Sequence, residues 1–111
     1  MKVEQQHVGT VDVLAPLGAL VDDDAEEFCK RLLERLRSPN TRVVISMQDV
    51  PYMDSTAIEG LLDAADDLTG RAMSLKLVNL TPTCREILEL TGCAKRFRFF
   101  QSTEDAVKSF L

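Results

Sequence analysis

The segment Asp49-Val-Pro-Tyr-Met-Asp-Ser-Thr-Ala57 sets a carboxylate, Asp54, directly before two hydroxyls, Ser55 and Thr56, where a short apolar run gives way to helical periodicity. Asp, Ser and Thr all cap helix N-termini, and Thr56-Ala-Ile-Glu59 has the spacing of a capping box, so capping accounts for one of these side chains. Three successive residues of this type exceed what one helix end uses. A hydroxyl at such an end faces free backbone N–H groups that favour negative charge. The chemistry this pattern supports is a phosphate on Ser55, with Asp54 and Thr56 as supporting neighbours.

The remaining inventory is thin. His7 is the one histidine, and Cys29, Cys84 and Cys93 are an odd number with no CxxC pair. That excludes a disulfide framework and the usual zinc patterns, and the cysteines read as packing residues. No histidine, lysine or second cysteine is placed by sequence to activate Ser55 as a nucleophile, so the chain reads as a non-enzyme. Asp22, Asp23 and Asp24 read as a solvated helix start rather than a cation site. Tyr52 and Met53 fit two roles equally, core plugs under the loop or exposed anchors for a partner. With neither a ligand cluster nor a glycine-rich phosphate loop, no metal and no cofactor are expected.

The elements that must position Ser55 follow from periodicity. Residues 2–8 and 10–15 form a hairpin around Gly9. Ala25, Phe28, Cys29, Leu32, Leu33 and Leu36 lie on one helical stripe, with acids in its first turn, bases later and Pro39 beyond. Residues 42–47 read as a strand buried on both faces. A second helix carries Ile58, Leu61, Leu62, Ala65 and Leu68 and stops near Gly70, with Gly60 inside at a cost of about 1 kcal/mol relative to Ala. Met73, Leu75 and Leu77 alternate as a strand, and Thr81-Pro82 opens a helix ended by Gly92. Residues 96–100 alternate as a last strand, with Arg96 and Arg98 on one face, before a terminal helix capped at Ser102. The order ββαβαβαβα predicts a single α/β domain over residues 1–111: a mixed five-stranded sheet, parallel but for the opening hairpin, with four helices. Functional groups in such sheets gather beyond the carboxyl ends of the strands, which selects the loops at 16–24, 48–56 and 78–82.

Thirteen Lys and Arg against eighteen Asp and Glu leave a net charge of −5. No overall positive field exists to collect nucleic acid or anionic lipid. No apolar run spans a bilayer and the first residues are too polar for a signal peptide, so membrane insertion is not expected and the cytoplasm is.

At these same residues the chain resembles the STAS family, the sulphate transporter and anti-sigma factor antagonist domains, over nearly its whole length. The likeness rests on Gly18-Ala-Leu20, Val43-Val-Ile45, the segment from Asp49 to Ala57 followed by Leu61-Leu62, and Asn79-Leu-Thr-Pro82 with Leu90-Thr-Gly92. It implies the family's fold and places the phosphoacceptor of bacterial anti-sigma factor antagonists at Ser55. It further implies a partner switch. The unphosphorylated protein would bind an anti-sigma factor serine kinase through a surface including Leu20, Asp22, Asp49, Tyr52, Met53, Ala57, Ile58 and Glu59. Phosphorylation by that kinase would release it, and a metal-dependent serine phosphatase would restore it. A non-switching accessory subunit of a phospholipid transport ATPase, or a stressosome-like scaffold component, is the alternative within the fold. Two positions depart from the family pattern: Val21 stands where an aspartate is common, its acids displaced to 22–24, and Ala57 stands where glycine is common.

Overall fold

In the computed structural model, which describes all 111 residues, five strands line up in sequence order as β1 (Val3–Val8), β2 (Val11–Pro16), β3 (Arg42–Ser46), β4 (Leu75–Val78) and β5 (Phe97–Phe100). β1 and β2 pair antiparallel through the turn at Gly9, and every later pairing is parallel. The helices are α1 (Asp22–Leu36), α2 (Ser55–Thr69), α3 (Pro82–Leu90) and α4 (Thr103–Lys108). The order ββαβαβαβα and the mixed five-stranded sheet are those read from the sequence.

Because each parallel strand is laid beside its predecessor without reversal, right-handed crossovers must put all three connecting helices on one face. The core is arranged accordingly. Phe28 of α1, Leu61 of α2 and Leu88 of α3 pack against Leu14, Val43, Ile45, Leu77 and Phe97 in one large cluster. Each such fully buried side chain contributes about 1.5–3 kcal/mol by leaving water. The opposite face is covered by α4 alone, where Ala106 packs on Val11, Val13, Val44 and Val78. β3 and β4, caught between the two layers, are buried along nearly their whole length, which is why the sequence of β3 does not alternate; β4 does alternate, and its Lys76 is buried all the same.

Apart from single-residue shifts at the ends of β1, β2 and β3, three features differ from the periodic reading. The fourth strand starts at Leu75, leaving Met73 and Ser74 between it and the preceding turn, where Ala72 has a φ of 59°. The fifth starts at Phe97, because Ala94–Arg96 forms a 3-10 turn that carries Arg96 to an ion pair with Asp66 of α2. Arg96 and Arg98 therefore do not share a strand face. The capping box read at Thr56–Glu59 is also absent: the N-cap of α2 is Asp54, and Thr56 is its second helical residue.

Candidate functional site

The three loops beyond the carboxyl ends of β2, β3 and β4 are fastened to one another by hydrogen bonds, main chain to main chain between the first two and from side chains of the third. After β2 the chain turns at Gly18, whose φ of 133° is open to glycine and strained for other residues. The Gly18 N–H donates to the Asp49 carbonyl at 3.0 Å. The Leu20 N–H donates to the Tyr52 carbonyl at 3.0 Å, and the Asp54 N–H returns to the Leu20 carbonyl at 3.1 Å. Leu20 and Met53 thus form an isolated parallel bridge, a fragment of sheet linking the first loop to the second. From the third loop, the Thr81 hydroxyl and the Cys84 thiol both donate to the Val50 carbonyl, at 2.9 and 3.2 Å. Thr81 also caps α3 by accepting from the Cys84 N–H at 3.4 Å.

Asp54 is the central fastening. Its extended backbone turns the carboxylate over the start of α2, where Oδ1 accepts from the Ala57 N–H at 3.0 Å. Its other oxygen, Oδ2, accepts from the Asp22 N–H at 2.8 Å, at the first residue of α1. That second bond answers the departure at position 21. Val21, the N-cap of α1, has no side chain able to cap, and Asp22 enters the helix with a φ of 49°. One carboxylate therefore serves two helix ends. The Asp22 N–H foremost, and then the Ala57 N–H, hold the Asp54 carboxyl below the usual carboxylate range.

Ser55 follows as the first residue of α2, exposed, with no hydrogen bond from its hydroxyl to the rest of the chain. Capping is done by its neighbour, so this hydroxyl is free for other chemistry. A phosphate there would meet the positive end of the helix. The nearest cavity, about 370 Å³ and open to solvent between α1 and α2, is lined by Thr56, Glu59, Gly60 and Cys29 and does not include Ser55.

The structure separates the residues expected around Ser55 into two sets. Asp22, Asp49, Tyr52 and Glu59 are exposed, Tyr52 by 50%. Leu20, Met53, Ala57 and Ile58 are buried, Leu20 and Met53 almost completely, in the core under the loops. Their side chains correct the surface expected from the sequence, because the Leu20–Met53 bridge points both inward and Ala57 and Ile58 fall on the core stripe of α2. The open choice for Tyr52 and Met53 resolves one way each, to exposed residue and core plug. Leu17, Ala19, Val21 and Pro51 are partly or fully exposed on the same loops, and of these the sequence singled out only Val21.

Beneath the site α1 and α2 approach closely. A Cβ on Gly60 would lie 2.3 Å from the Cys29 Sγ and 2.6 Å from its Cβ. Burial above all, with Asp63 and Asp54 adding to it, pushes the Cys29 thiol up to about 11. It is a neutral packing group whose weak S–H points to the Ala57 carbonyl at 3.9 Å.

Comparison with known proteins matches this arrangement. Among curated proteins, none matches the sequence. Among solved structures, a protein of Thermotoga maritima superposes with a TM-score of 0.87 at 18% identity, covering 96% of this chain and 92% of that one. An anti-sigma factor antagonist of Mycobacterium paratuberculosis gives 0.80 at 22% identity, over 97% and 92% of the two chains. The phosphorylated form of the Bacillus cell fate determinant SpoIIAA gives 0.75 at 17% identity, over 99% and 100%. The model of the STAS domain itself matches residues 2–106, and on that match the chain belongs to the STAS domain family.

Proposed function

We propose that this protein is an anti-sigma factor antagonist that works by partner switching in the cytoplasm. In its unphosphorylated form it binds an anti-sigma factor serine kinase; that kinase phosphorylates Ser55 and is released, and a metal-dependent serine phosphatase resets the protein. It catalyses no reaction of its own, requires no cofactor and makes no direct contact with nucleic acid. The observation that carries this reading is the exposed Ser55 hydroxyl, unbonded at the first position of α2 while Asp54 performs the capping.

Phosphorylation would add about −1.5 to −2 charge at neutral pH beside Asp54, on a domain already at −5. A partner surface that accepts carboxylates around a neutral serine would then be repelled. The contact surface is built from Asp22, Asp49, Tyr52, Ser55 and Glu59, with Leu20, Met53, Ala57 and Ile58 holding it in shape from below.

The test is reconstitution with the cognate kinase and ATP. Wild type gains one phosphate, mapped by mass spectrometry to Ser55, while Ser55→Ala gains none and still binds. Ser55→Asp binds more weakly by about 1–3 kcal/mol. A phosphate on Thr56, or none with a verified kinase, rejects the site. Equal binding of wild type and Ser55→Asp rejects the electrostatic mechanism and favours the non-switching accessory subunit.

A further inference from the structure

On the face opposite the three crossover helices, at the amino ends of the strands and so at the far end of the sheet from Ser55, three cations stand together. Lys76 of β4 and Arg98 of β5 are direct cross-strand partners, and Arg42 stands on β3 two residues before Val44, the partner of Lys76 on the other side. Like charges directly opposite one another in a sheet are unfavourable. Lys76 is 6% exposed, yet no carboxylate pairs with it. Its Nζ donates to the Ser109 Oγ at 2.7 Å and sits 3.4 Å from the centre of the Phe110 ring. Arg98 lies over Phe100 and Arg42 near Phe110.

These contacts satisfy part of the hydrogen bonding and some of the charge through the ring faces, but they supply no negative charge. Burial first, with Arg98 and Arg42 adding to it, lowers the Lys76 pKa. A cavity of about 230 Å³ opens beside the ammonium, lined by Ser74, Lys76, Arg98, Ser109 and Phe110 among others. Two cationic side chains and two serine side chains therefore line one small space, in a protein whose overall charge is negative; Arg42 lines the neighbouring hollow, where its guanidinium donates to the Thr10 hydroxyl at 3.3 Å. A methionine at position 76 would fill the same volume without the cost of a buried charge. What the cluster lacks is a compact anion with several acceptor oxygens.

We propose that Lys76 and Arg98 form a binding site for a phosphate group, carried by free phosphate or by a small phosphomonoester, with Arg42 nearby adding to the positive field. The Arg98 guanidinium fork suits the tetrahedral oxygens, Lys76 supplies a point charge and the Ser74 side chain lines the wall, while the Ser109 hydroxyl, which accepts from Lys76 and donates to the Ala106 carbonyl at 2.6 Å, holds the ammonium in place. The site is independent of Ser55 and of the switch.

The test is a titration of the full chain with inorganic phosphate and, separately, phenyl phosphate, at constant ionic strength set with sodium chloride. Amide shifts should change at Ser74, Arg98, Ser109 and Phe110, and saturating ligand should raise the melting temperature by about 4 °C or more. Lys76→Met and Arg98→Gln should each weaken binding about tenfold or more, while Lys95→Gln, an exposed cation elsewhere, should not. Without ligand, Lys76→Met should melt no lower than wild type, since it removes a buried unpaired charge. Tighter binding of phenyl phosphate identifies an organic phosphomonoester as the ligand; equal binding identifies the free ion. An absence of saturable shifts for both probes, or shifts that survive unchanged in Lys76→Met and Arg98→Gln, would overturn the proposal. So would a lower melting temperature for Lys76→Met together with unaltered ligand effects, since Lys76 would then be a structural residue.

Discussion

At Asp54 a single carboxylate closes two gaps, the N-terminus of α2 and the uncapped entry to α1 behind Val21. Asp54→Ala is expected to destabilise the fold by about 1–3 kcal/mol in chemical denaturation, more than an ordinary cap, because two N–H groups lose their acceptor. Asp54→Asn retains one oxygen for Ala57 and should lose less. The pH dependence separates the two further. The carboxyl is held low in the folded state, so its stabilisation is complete above the unfolded value of about 3.9 and is lost as pH falls through the lower folded value. Wild type should therefore lose stability relative to Asp54→Asn as pH drops below about 4, with the two curves parallel at neutral pH. Thr56 shows how far position decides role. As an N-cap its loss would cost about 0.5–2 kcal/mol, but as the second residue of α2 its replacement by Ala should change stability by less than about 0.5 kcal/mol.

Packing between elements gives a different set of expectations. Gly60 looks unfavourable within α2 by propensity, and alanine there would gain about 1 kcal/mol in an isolated helix. In the folded protein the added methyl would be driven into Cys29 of α1, so Gly60→Ala should instead destabilise by about 1–3 kcal/mol. The double variant Gly60→Ala with Cys29→Ala removes the obstructing sulfur and should recover part of that loss, which a double-mutant cycle in urea would measure. The thiols should also react by element. Cys93 is partly exposed after α3, whereas Cys29 and Cys84 are buried and their thiols shifted upward. Ellman's reagent at pH 8 should modify one thiol rapidly and the other two only on unfolding.

For the whole molecule, the arrangement of one sheet between unequal layers separates a buried centre from the exposed helix start at Ser55. β3 and β4 lie under helices on both faces, so their amides should be the slowest to exchange with deuterated solvent, while the β1 edge, with four consecutive exposed residues, should exchange early. Ser55 sits outside this core, at the start of α2 beside two loops already joined by main-chain bonds. Phosphorylation should then alter amide shifts around residues 17–22 and 49–60 and leave β3 and β4 unmoved. Widespread shifts through the sheet would mean that the switch works by refolding rather than by charge at the surface.

The order of elements, the hairpin followed by parallel crossovers, and Ser55 at a helix start were legible in the sequence, because each rests on local chemistry: a 3.6-residue stripe, a turn glycine, residues of capping type. Even the buried character of 42–47 showed in its lack of alternation. Which of three neighbouring polar residues caps α2 was not legible. Asp54, Ser55 and Thr56 are near equals by propensity, and the Asp22 N–H, 32 residues away along the chain, makes Asp54 the acceptor that satisfies two helices. The same holds for the expected contact surface. Leu20 and Met53 stand in loops without a readable period, and only their bridge across two loops turns both side chains into the core. The cluster of Arg42, Lys76 and Arg98 left no signal, since its members lie on three strands and meet only through sheet register. Local periodicity fixes which face of an element is apolar; the pairing of distant backbones decides which side chains share a site, because that pairing brings together residues between which the chain itself has no spacing to read.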